Sequence, residues 1–70
     1  MNEYAFAEGT LVKALRGTPR SMQPELGNVG KVGQVLSCHT LGKDRYYQVK
    51  FPWGEDTIDE VNLIEVRYDH

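Results

Sequence analysis

Two places in the sequence bring together residue types that could do chemistry. Cys38 stands next to His39, a thiol beside an imidazole, and Glu55, Asp56, Asp59 and Glu60 put four carboxylates within six residues. A nucleophilic pair needs its base within hydrogen-bond reach of the thiol. Adjacent residues on a strand point to opposite faces, so a strand here predicts a packed Cys38 and an exposed His39. A zinc site needs three or four ligands, and the second of the two histidines is His70, at the far end of the chain. The carboxylates suit a hard divalent cation, but they lack the Asp-x-Asp-x-Asp-Gly spacing of a calcium loop. They are read as a solvated turn with a helix cap, or as a docking patch for a basic partner. No catalytic set, metal or cofactor is expected, and the chain is read as non-enzymatic.

Aromatic and basic residues carry a different signal. Tyr46 and Trp53, with Tyr4, Phe6 and Tyr68, exceed what one small core can hide, and exposed Trp and Tyr are the residues most enriched at binding hot spots. The competing reading for Trp53 is a plug folded over the end of the fold. Arg16, Arg20 and Lys31 flank a long loop and could meet a partner's carboxylates or phosphates, although no glycine-rich phosphate cradle accompanies them. Arg16, Arg20, Lys31, Tyr46 and Trp53 are therefore the candidate partner-binding residues. The expected contact surface is the loop of residues 16–29 with Tyr46 and Trp53.

The elements that must position them are strands. Thr10 to Leu15 follow Gly9 as the first strand, with Val12 and Ala14 on one face and Lys13 on the other. Arg16 to Gly30 holds Gly17, Pro19, Pro24, Gly27 and Gly30 and keeps no period; loops of this length are commonly functional or folded back on themselves. Lys31 to Leu41 reads as a second strand, in which Gly33 predicts a bulge, a bend or a close backbone approach. After the Gly42-Lys43-Asp44 turn, Arg45 to Phe51 alternates most clearly: Tyr47, Val49 and Phe51 face one way, Tyr46, Gln48 and Lys50 the other. Pro52 to Glu55 is a turn, Asp56 to Asp59 a short strand, and Glu60-Val61-Asn62 a single helical turn capped by Asp59. Leu63 to Tyr68 is the last strand. The expected core is Val12, Val35, Tyr47, Val49, Phe51, Ile58, Leu63 and Val66. Residues 1–8 are expected to fray or to add an edge strand, and residues 9–68 to form one domain.

Five short strands and one long early loop predict an all-β fold, a small five-stranded barrel in which closure removes exposed sheet edges. The order Gly9-x-x-Val12, loop, Gly30-Lys31-Val32-Gly33-Gln34-Val35, Tyr47-Gln48-Val49-Lys50-Phe51 and Asp59-Glu60-Val61-Asn62-Leu63-Ile64-Glu65-Val66 resembles an SH3-like barrel. Within that class it is similar to small accessory subunits of photosynthetic electron transfer, such as photosystem I subunit IV and the ferredoxin–thioredoxin reductase variable chain. That resemblance implies a subunit without catalytic residues, which braces a larger complex and helps a protein partner dock. Gly30 to Val35 also resembles the glycine-centred KOW element of ribosomal and elongation proteins. The chain departs from signalling SH3 domains in lacking an acidic run in the first loop and the paired aromatics of a proline-binding groove.

Composition bounds the rest. Seventy residues, 40% hydrophobic and 26% charged, make one small globular domain, and a single cysteine gives no internal disulfide. No apolar run approaches the roughly 18–20 residues of a membrane span, and no signal peptide is visible at Met1-Asn2-Glu3-Tyr4; a cytoplasmic location is expected. The net charge of −2 conceals a basic block, residues 13–50 at +5, and an acidic one, residues 51–70 at −5. Interleaved strands would mix the two. The expectation is a non-catalytic module that binds a larger protein or complex as an accessory or regulatory subunit. The alternative is a nucleic-acid-binding module using the KOW-like segment and the basic residues Lys13, Arg16, Arg20, Lys31, Lys43, Arg45 and Lys50, against which the acidic total weighs.

Overall fold

The alternating segment of residues 44–51 lies inside a sheet, paired on both sides. The computed structural model describes residues 4–17 and 21–67. Five strands run in it: β1 (Leu11–Ala14), β2 (Val32–Leu41), β3 (Asp44–Phe51), β4 (Gly54–Asp59) and β5 (Leu63–Glu65). They form one antiparallel sheet in the order β4-β3-β2-β1-β5. Two 3-10 turns, Leu26–Asn28 and Glu60–Asn62, are the helical elements among the described residues. Among the described residues no helix is long and apolar enough to cross a membrane.

The all-β, five-stranded fold is as expected, but the closure of a barrel is not seen. No ladder joins β4 to β5, and the sheet stays open between them. Ser21 and Met22 of the long loop bond to the connection from β4 to β5. Asp59 N, at the end of β4, donates to Met22 O at 2.8 Å, and Leu15 N donates to Asn62 O at 2.8 Å. Asn62 is wholly buried, and its Nδ2 donates to Ser21 Oγ and Met22 O. A Cβ on Gly17 would fall 1.4 Å from Asn62 Oδ1, so only a glycine lets the loop leave β1 beside this side chain. At the end of β4 a loop carbonyl thus takes the Asp59 N–H, and the turn that follows is held to the loop through Asn62.

One face of the sheet carries the core: Phe6, Val12, Ala14, Val35, Tyr47, Val49, Phe51, Ile58 and Leu63. Seven of the eight residues expected there are present. Val66, past the end of β5, is only half-buried, while Phe6 and Ala14 join the core. Phe6 comes from the segment expected to fray or add a strand; residues 4–8 are in no strand, and residues 1–3 lie outside the described residues. Gly33 marks a close approach, since a Cβ there would meet Val49 Cγ1 at 2.6 Å and Lys50 O at 2.8 Å. The bulge comes later: Val35 pairs with Val49 and Ser37 with Gln48, leaving Leu36 as the extra residue. The turn at Glu60–Asn62 is capped as expected, with Asp59 Oδ1 accepting from Val61 N at 3.1 Å.

Candidate functional site

The residues that could have done chemistry are dispersed and engaged. Cys38 and His39 lie on opposite faces of β2. The half-buried Cys38 Sγ donates to Phe6 O at 3.4 Å, and the exposed His39 Nε2 lies 3.0 Å from Ser37 Oγ. Burial, and then the carboxylates of Glu8 and Glu60, push the Cys38 thiol above its ordinary pKa, which disfavours a thiolate. Each carboxylate of the acidic run has its own structural partner. Glu55 accepts from Gln48 Nε2 at 3.1 Å, and Asp56 Oδ2 accepts from Glu25 N at 2.8 Å and Asn28 Nδ2 at 2.9 Å. Asp59 is the turn cap, and Glu60 pairs with Arg45 at 2.9 Å and accepts from Tyr47 Oη. Among the described residues no three His, Cys, Asp or Glu side chains converge as a metal site would require.

Tyr47 is the centre of a closed network. Its hydroxyl accepts from Ala5 N and Phe6 N at 3.1 and 3.3 Å and donates to Glu60. Tyr4 and Phe6 pack edge-on against its ring, with centroids 6.2 and 5.3 Å away. Burial and the hydrogen bond to Glu60 push its pKa up to about 12. This cluster ties the N-terminal segment to the sheet.

The other end of β3 is open. The turn at Pro52–Trp53 follows the strand, and Trp53 stacks on Phe51 with centroids 5.8 Å apart and planes 11° from parallel. Its Nε1 donates to Asn28 Oδ1 in the loop's 3-10 turn, and Asn28 is itself held by Asp56. Trp53 nevertheless remains 60% exposed. It covers the ring of Phe51, as a plug would, and presents its other face to solvent, as a contact residue would. On the outer side of the sheet a groove of about 280 Å³ runs between Leu11, Val32, Gln34, Lys50, Phe51 and Pro52.

Of the five candidate contact residues, Trp53 and the loop are brought together, through Asn28. Lys31 begins the run into β2, exposed, with its N–H on Asn28 O and its carbonyl accepting from Ala14 N. Arg16 is exposed at the start of the loop, and Arg20 lies outside the described residues. Tyr46 is half-buried on the outer face, opposite His39 and Asp59. It stands five residues before Phe51, on the order of 15 Å away along an extended strand, so it does not share a patch with Trp53. Sequence reasoning missed Asn28, whose link to Trp53 and Asp56 is non-local, and the groove, which depends on cross-strand register. Alternation from Val12 already turned Leu11 outward; only the pairing with Gln34 sets it beside β2. No family profile, curated protein or solved structure matches the chain.

Proposed function

We propose that the chain is a non-catalytic protein-binding module, an accessory or regulatory subunit of a larger assembly, with Trp53 and the loop beside it as the contact surface. The observation that carries this reading is Trp53 itself: a large aromatic, 60% exposed, held by a stack on Phe51 and a hydrogen bond to Asn28. An aromatic fixed before binding loses little conformational freedom on docking, and such side chains dominate interface energetics. Cys38, Asp59 and Glu60, which could have served catalysis, are engaged in holding the fold, which supports the non-catalytic reading.

Affinity capture from the native host tests it. The tagged wild-type chain is expected to retain a specific protein that Trp53→Ala, still folded by circular dichroism, releases. A wild-type chain that retains nothing, or a Trp53→Ala variant that retains the same protein equally well, overturns the reading.

A further inference from the structure

We infer that the outer face of β1, β2 and β3 docks an acidic peptide segment, which lowers an apolar side chain into the groove between Leu11, Val32 and Pro52 and sets carboxylates against Lys13 and Lys50. This rests on the protein-binding reading above and names the chemistry of the partner.

The outward positions of an antiparallel sheet with one solvated face are ordinarily polar. Here the register places Leu11, Val32 and Ile64 on that face, around Lys13. Lys13 pairs with Val32 on one side and Ile64 on the other, and the next row runs from Leu11 to Gln34 to Lys50. Val32 and Ile64 flank Lys13, and each lies diagonally from Leu11; diagonal neighbours about 7–8 Å apart are still within reach of long side chains, so the three surround Lys13 across three strands. Val32 and Ile64 are exposed. Between Leu11, Val32 and Pro52 the surface is concave, and an aliphatic side chain fits an aliphatic groove.

Charge selects the rest of the ligand. Lys13 and Lys50 sit among these apolar residues, one in each row, and both are exposed. Among the described residues the ion pairs are Arg45 with Glu60 and Arg67 with Glu65, and neither lysine is in one. Glu55 is directly opposite Lys50 in the ladder, but its carboxylate accepts from Gln48. Among the described residues Lys13 and Lys50 thus make no ion pair, and Glu55 is the one carboxylate set opposite either of them in the ladder. A ligand with carboxylates flanking an apolar residue satisfies both features; a basic segment satisfies neither.

Nucleic acid would also answer the lysines, but single-stranded binders present aromatic faces on which bases stack. The one ring at this groove, Phe51, is 1% exposed and covered by Trp53, so a base meets aliphatic edges only.

A random dodecapeptide library displayed on phage, selected against the full-length chain, reads the partner chemistry directly. Enriched peptides are expected to carry Asp or Glu on both sides of a Leu, Ile, Val or Phe. Their affinity should fall by about tenfold or more for the double variant Lys13→Glu/Lys50→Glu, and for Val32→Asp. It should also weaken as salt rises from about 0.05 to about 0.5 M, as screening requires. Absent, neutral or basic enrichment overturns the proposal, as does enrichment that the double variant leaves intact. Low-salt binding of a random single-stranded oligonucleotide that the double variant abolishes, with no acidic peptide competing, overturns it in favour of nucleic acid. If the captured native partner is lost by Trp53→Ala but kept by Lys13→Glu/Lys50→Glu, the protein-binding reading stands and the groove assignment falls.

Discussion

Tyr47 and Trp53 are both aromatics with a single polar atom, one in the middle of β3 and the other in the turn that follows it. Each is tied by that atom to a segment distant in sequence. The hydroxyl of Tyr47 holds Ala5, Phe6 and Glu60, and Nε1 of Trp53 holds Asn28. They differ in what the ties leave over. Tyr4 and Phe6 close over Tyr47 until none of it is exposed, whereas Trp53 rests on Phe51 alone and keeps an open face. One end of the sheet therefore uses its aromatic to finish the fold, and the other fixes its aromatic while leaving it available. Order without burial is what separates a contact residue from a core residue.

The comparison depends on Phe51, which lies in the same core row as Tyr47 and forms the platform for Trp53. Phe51→Ala is expected to cost about 3–5 kcal/mol, a large share of a small domain's total of roughly 5–15 kcal/mol. Urea denaturation followed by circular dichroism should show the variant largely unfolded or marginal, with Phe51→Leu clearly milder. A loss below about 1 kcal/mol in Phe51→Ala would remove the shared platform and with it the contrast drawn here.

The Tyr47 end is sharpened by its hydroxyl. Tyr47→Phe keeps the ring but strands the Phe6 amide, while Ala5 N keeps Glu60 as acceptor and Glu60 keeps Arg45; the expected cost is about 1–3 kcal/mol. The folded-state pKa of about 12 lies above the ordinary tyrosine value near 10. The folded state thus holds its proton where the unfolded state releases it. The stabilisation is complete below pH 10 and falls as pH rises through 12, by roughly 2–3 kcal/mol in all. Denaturation midpoints measured between pH 9 and 12 should decline in the wild type and decline less in Tyr47→Phe. Equal slopes in the two proteins would show that the hydroxyl is not the group responsible.

How much of this was legible in the sequence follows from the range of each interaction. Alternation along 45–51 identified β3 and its inward face, because a two-residue period is local. Asp59 as a cap was legible for the same reason: donor and acceptor are two residues apart. Phe6 was not legible, since a lone aromatic in an aperiodic segment gives no sign that a tyrosine forty-one residues away will fix its amide. Barrel closure was not legible because strand count does not say whether the last two edges will pair; here they do not, and Met22 O takes the Asp59 N–H at the end of β4. At the candidate site, Trp53 was found by its type and its place in a turn. Asn28, Leu11 and Val32 became visible only with register.

The Trp53 end gives the smallest expected change in stability and the sharpest separation of roles. Trp53→Ala removes one aromatic stack, worth about 0.5–1.5 kcal/mol, and a hydrogen bond at the rim where water can replace the indole on Asn28. Because the side chain is mostly exposed, little buried area is lost, and the net cost should be about 1 kcal/mol, well under that of Phe51→Ala. If Trp53 were a plug, its removal would open the Phe51 ring to water and cost several times more, with no change in partner capture at a temperature where the variant is folded. If it is a contact residue, stability should barely move while binding is lost. Denaturation and capture on the same preparation of Trp53→Ala therefore decide between the two, because the two roles predict opposite orderings of the same pair of numbers.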